Sequence, residues 1–82
     1  MIITRETYEK IEPVVRRIDA IMNLDGASWE EKYDAIFSAE VSGRFYELVP
    51  SFHYSDPDCD EYDDVWAFVH AVREFMDNVK VI

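Results

Sequence analysis

Apolar residues recur along this chain at three- and four-residue steps, the spacing that puts side chains on one face of a helix. In the first segment Tyr8, Ile11, Val15, Ile18 and Met22 mark such a face, widened by Val14 and Ile21. Thr4 is placed to cap its start. Pro13 lies inside it and predicts a kink or restart, because proline removes a helix hydrogen bond and crowds the preceding turn. Leu24-Asp25-Gly26 supplies turn chemistry after Asn23.

A second start follows at Ser28, where Glu31 stands three residues on and completes a capping box. Trp29, Tyr33, Ile36, Phe37, Val41, Phe45 and Leu48 continue at helical spacing, which predicts one helix running to Pro50. Gly43 weakens it by about 1 kcal/mol relative to alanine. Residues 51–59 are irregular, and the alternation of Phe52 and Tyr54 with Ser51, His53 and Ser55 fits a short extended piece or a single helical turn. The last helix is predicted from about Asp60, with acids in its first turn at the positive end of the helix dipole. Its apolar face is Val65, Phe68, Val69, Val72, Phe75, Met76 and Val79.

These elements predict one all-α domain over residues 1–82, a small antiparallel bundle of three to four helices with an irregular acidic connection before the last. The expected core is Ile11, Val15, Ile18, Tyr33, Ile36, Phe37, Phe45, Val65, Phe68, Val69, Val72 and Phe75. Five Phe, five Tyr and two Trp in 82 residues help so short a chain offset its conformational entropy. Cys59 has no second cysteine to pair with, which fits a reducing, cytoplasmic setting. No apolar run approaches the roughly 20 residues of a membrane span.

Charge changes the picture most. The net charge is −10, and its distribution is uneven. Residues 1–23 and 65–82 are each balanced, so the whole excess lies between Leu24 and Asp64. Asp56, Asp58, Asp60, Glu61, Asp63 and Asp64 supply most of it. Such a surface repels nucleic acid and anionic membranes and attracts basic proteins.

Candidate chemistry is thin. Asp56-x-Asp58-x-Asp60 has the opening spacing of a calcium-binding loop, but Glu61 stands where the loop needs glycine and Ala67 where it needs a bidentate glutamate. No metal site and no cofactor is therefore expected. Cys59, His53 and His70 have no motif spacing, and the carboxylates around Cys59 disfavour its thiolate. His70, between Trp66 and Arg73, reads as a partly buried packing histidine. With no phosphate-binding glycine loop and no distinguished acid–base pair, the chain does not read as an enzyme. Trp66, Tyr62 and Tyr46 fall beside the apolar stripes of their helices. They serve either as partner-binding anchors within a charged rim or as covers for the edges of a small core.

Ile21-Met22-Asn23-Leu24-Asp25, followed by Ser28 and Glu30-Glu31, resembles the helix I to helix II junction of the small immunity proteins that neutralise DNase bacteriocins. Phe52-His53-Tyr54, the acidic stretch after it, and Phe68, Val69, Val72 and Phe75 are similar in order and spacing to that family's tyrosine-bearing third helix, acidic loop and last helix. The chain differs in having His53 for the first tyrosine, no proline after that pair, and Phe75 where the family has tryptophan. The resemblance implies a four-helix domain that binds a nuclease through Glu30, Glu31 and Asp34, with Tyr54 as an aromatic anchor.

The expected function is a small acidic protein-binding inhibitor that docks on a basic, nucleic-acid-handling surface of a target protein. Immunity proteins work in this way, as do phage-type DNA mimics that block restriction or CRISPR enzymes. The expected partner-binding residues are Glu30, Glu31, Asp34, Tyr54, Asp56, Asp58, Asp60, Glu61, Tyr62, Asp63 and Asp64. The partner is a basic protein such as a nuclease, with no direct contact to nucleic acid or membrane. The alternative is a non-catalytic structural or accessory module whose acidity serves solubility.

Overall fold

The fold is that of a computed structural model, described here for residues 1–54 and 60–82, with Glu61 described by its backbone alone. Most of the chain is helical. Helix α1 spans Arg5–Met22, and the Thr4 hydroxyl accepts the Thr7 N–H at 3.1 Å, as its capping position predicts. Helix α1 runs through Pro13 without a restart. The carbonyl that proline leaves unpaired belongs to Glu9, and both residues are exposed, so water can satisfy it.

Helix α2 spans Trp29–Ile36 and begins with the predicted capping box between Ser28 and Glu31. It does not run on to Leu48. Ser38 turns extended and donates its hydroxyl to the Ala35 carbonyl at 2.8 Å, closing α2. The Ser38 carbonyl then accepts the Gly43 N–H at 3.0 Å across a wide π-helical turn, Ala39–Gly43, which leads into the short helix α3, Arg44–Leu48. Serine competes well for backbone groups, and here it divides one predicted helix into three pieces. The apolar spacing survives the break, since Ile36, Val41 and Phe45 are all buried.

Helix α4 spans Glu61–Asn78. Asp60 is its N-cap and accepts the Asp63 N–H at 3.0 Å. Two short strands join the chain ends: β1, Ile2–Ile3, pairs in parallel with β2, Lys80–Val81, in the register Ile2 to Lys80 and Ile3 to Val81. This pair was not expected from the sequence. Two residues are too few for a strand's alternation to register, and the partners lie at opposite ends of the chain.

The core joins α1, the α2–α3 segment and α4 through Ile11, Val14, Ile18, Ile21, Ile36, Val41, Phe45, Val49, Phe52, Val65, Phe68, Val69 and Val72. On α1, Ile11 and Ile18 are buried as expected, and the face leans toward the residues that widen the stripe. Val14 and Ile21 are buried, while Val15 and Met22 are half-buried. Tyr33, Phe37 and Phe75 likewise pack against the core's edge. Phe45, Phe52, Phe68 and Phe75 meet edge-to-face, with ring centroids 4.7 to 6.4 Å apart. Each such pair adds about 0.5–1.5 kcal/mol beyond the area it buries.

Candidate functional site

Trp29, the first residue of α2, brings the starts of two helices together. Its ring meets Tyr62 edge-on at 4.6 Å between centroids and lies 6.1 Å from Trp66. Tyr62, Trp66 and His70 are four residues apart on α4, so they share one face, and the His70 ring lies 5.3 Å from Trp66. The result is an aromatic seam, Trp29–Tyr62–Trp66–His70. His70 is exposed on it rather than partly buried, as the sequence had led us to expect.

Two of the chain's own cations rest on this seam. Lys32 holds its ammonium 4.6 Å from the Trp29 ring centre and donates to the Met22 carbonyl at 3.1 Å. Arg73 lies 5.8 Å from the Trp66 ring centre and pairs with Asp19 of α1 at 3.7 Å. Tyr62 is 45% exposed, and among the described residues no cation lies over it. The Trp66 indole N–H is buried without an acceptor among the described residues.

The sequence-predicted acids differ in their surroundings. Glu30 and Asp34 on α2, with Asp60 and Asp63 at the start of α4, are exposed and make no ion pair among the described residues. Glu31 and Asp60 also cap their helices, so part of their role is local. Asp64 is half-buried and accepts the Tyr54 hydroxyl at 3.0 Å. Asp56 and Asp58 lie outside the described residues, as do Cys59 and the side chain of Glu61.

Tyr54 is not a protruding anchor. Its ring packs 5.5 Å from Phe68 and 6.4 Å from Phe37, so it covers the core. Residues 52–54 form no helical turn, in contrast to the tyrosine-bearing helix that the family resemblance implies. Tyr46 also packs at the core's edge, 5.7 Å from Phe52. Trp29, Lys32 and Arg73 were missed as members of the site. Their spacings, Trp29 to Lys32 at three and Trp66 to Arg73 at seven, are helical and could have signalled it.

The 18 residues of α4 span about 27 Å. Among the described residues, exposed acids outside any ion pair lie at both ends of it, Asp60 and Asp63 at the start and Glu74 and Asp77 near the end, where Lys80 and Arg5, also outside any ion pair, sit beside the terminal strands. Among the described residues, no three His, Cys, Asp or Glu side chains converge as a metal site would require. No helix of the described residues is long and apolar enough to cross a membrane. No family model, curated protein or solved structure matches the chain.

Proposed function

We propose that this chain is a non-catalytic, acidic protein-binding inhibitor. It docks the paired starts of α2 and α4 onto a basic, nucleic-acid-handling surface of a target protein. One observation carries this reading. Among the described residues, Glu30 and Asp34 on α2, and Asp60 and Asp63 at the start of α4, are exposed and make no ion pair, and the contact of Trp29 with Tyr62 joins the two helices.

Carboxylates one helical turn apart lie about 5–6 Å from one another at Cβ. Two such groups, carried by helices in contact, form a compact negative surface of the kind that a phosphate-binding groove attracts. Aromatic rings where the two helices meet supply the desolvated contact area that charge alone lacks. The same features support the resemblance to bacteriocin immunity proteins in its general sense, an acidic helical domain facing a nuclease. They shift the aromatic contribution from Tyr54 to Tyr62 and its neighbours.

The test is capture of partners from a lysate at low and at high salt, followed by affinity measurement on any purified partner. Basic nucleic-acid enzymes that are retained at low salt and released at high salt are the expected result. Partners with no basic surface, equally retained at both, would overturn the proposal and favour an accessory module. The exposed Ile2 on β1 and Ile82 just after β2 would then be the surface to examine.

A further inference from the structure

The aromatic seam already holds cations, and the way it does so indicates what a partner must bring. Trp29 carries Lys32, and Trp66 carries Arg73. Both are committed elsewhere as well: Lys32 donates to the Met22 carbonyl, and Arg73 pairs with Asp19. Both lie at rings other than Tyr62. That ring is exposed, lacks a cation among the described residues, and is followed directly by Asp63, which is exposed and in no ion pair among the described residues. Glu30 follows Trp29 in the same way on the facing helix.

We propose that Tyr62 is the docking platform for an arginine side chain of the partner protein, which stacks on the ring while its guanidinium donates to neighbouring carboxylates. This rests on the acidic-docking reading and narrows it from basic partners in general to partners that present arginine. The preference for arginine over lysine follows from chemistry. Guanidinium is planar, weakly hydrated and able to stack, and its forked donors match a carboxylate at the ring's edge. Ammonium is a strongly hydrated point charge that can rest over a ring, as Lys32 does on Trp29, but it has neither a plane to stack nor forked donors for a carboxylate.

The probes are nona-arginine and nona-lysine peptides, which carry equal charge. Binding is read from the fluorescence of Trp29 and Trp66, which lie in the seam, and confirmed by calorimetry. Nona-arginine should bind about threefold to tenfold more tightly than nona-lysine, the range expected of one or two exposed cation–π contacts. Tyr62→Phe should keep that ratio, because the ring's face remains. Tyr62→Leu should lower it by about twofold or more, leaving only the preference that forked guanidinium–carboxylate bonding sustains, while affinity for nona-lysine stays near the wild-type value. Circular dichroism and urea unfolding confirm that each variant is folded. Equal wild-type affinities for the two peptides, or a ratio undiminished in Tyr62→Leu, would overturn the arginine proposal and leave the acidic surface standing. If neither peptide bound at low salt, the acidic-docking reading would fall with it.

Discussion

The Lys32 ammonium donates to the Met22 carbonyl at 3.1 Å, so a side chain of α2 caps the last turn of α1, ten residues earlier. The same ammonium lies over Trp29. One cation thereby satisfies an otherwise unpaired helix-end carbonyl, opposes the negative end of the α1 dipole and rests on the seam. Lys32→Met keeps most of the side chain's bulk and removes all three effects. Stability should fall by about 2–4 kcal/mol, the sum expected for a charged hydrogen bond and a helix-dipole interaction. Urea unfolding checks this, and a loss under about 0.5 kcal/mol would show that the contact is incidental.

Tyr54 offers a separation of core from surface. Its ring lies against Phe37 and Phe68, and its hydroxyl donates to Asp64. Tyr54→Phe should cost about 1.5–3 kcal/mol, the net value of a hydrogen bond to a charged group. Tyr54→Ala should cost about 3 kcal/mol or more by exposing the ring's neighbours. Partner affinity should change less than twofold in Tyr54→Phe, measured by calorimetry. A tenfold loss would restore Tyr54 to the docking surface, where the family resemblance places it.

Phe68 lies at the centre of the core, fully buried and in ring contact with Phe37, Phe45, Phe52 and Tyr54. Phe68→Ala should cost about 3–5 kcal/mol, a large share of the stability of a domain this size. Thermal unfolding would show the loss as a much lower Tm or no cooperative transition.

The elements legible in the sequence are those decided locally. Thr4, Ser28 and Asp60 announce the starts of α1, α2 and α4 because a cap depends on residues within one turn. The buried face of α4 follows from its spacing, as Val65, Phe68, Val69 and Val72 demonstrate. The break at Ser38 was hidden, because the apolar spacing continues from Ile36 to Val41 and Phe45 as if the helix were whole. The terminal strands and the meeting of Trp29 with Tyr62 depend on contacts between residues far apart in sequence, which periodicity does not encode. The acidic candidates were visible as charges. What the sequence did not reveal is which of them are used locally, as Glu31 is in its capping box and Asp64 with Tyr54.

Those assignments make the acidic surface separable from the fold. In a combined Glu30→Gln, Asp34→Asn and Asp63→Asn variant, each replaced carboxylate is exposed and outside any ion pair among the described residues. Glu30 and Asp63 lie in first helical turns, so each loses a dipole interaction of about 0.3–1 kcal/mol at low ionic strength. Against that, the repulsion between Glu30 and Asp34, one turn apart, is relieved by about 0.2–0.5 kcal/mol. The N-caps Ser28 and Asp60 are untouched, and the backbone donor at Asp63 that Asp60 accepts is retained. Stability should therefore change by less than about 2 kcal/mol, and the direction at low salt should be a small loss. Partner affinity should fall at least tenfold, about 1.4 kcal/mol. Most of that loss should appear in the association rate, since exposed charges act mainly by steering the encounter. The gap between variant and wild type should close as salt rises, because screening at about 1 M shortens the reach of exposed charges to about 3 Å. Stopped-flow association across a salt series measures both effects at once. An unchanged association rate at low salt, in a variant shown to be folded, would mean that these carboxylates only keep the domain soluble.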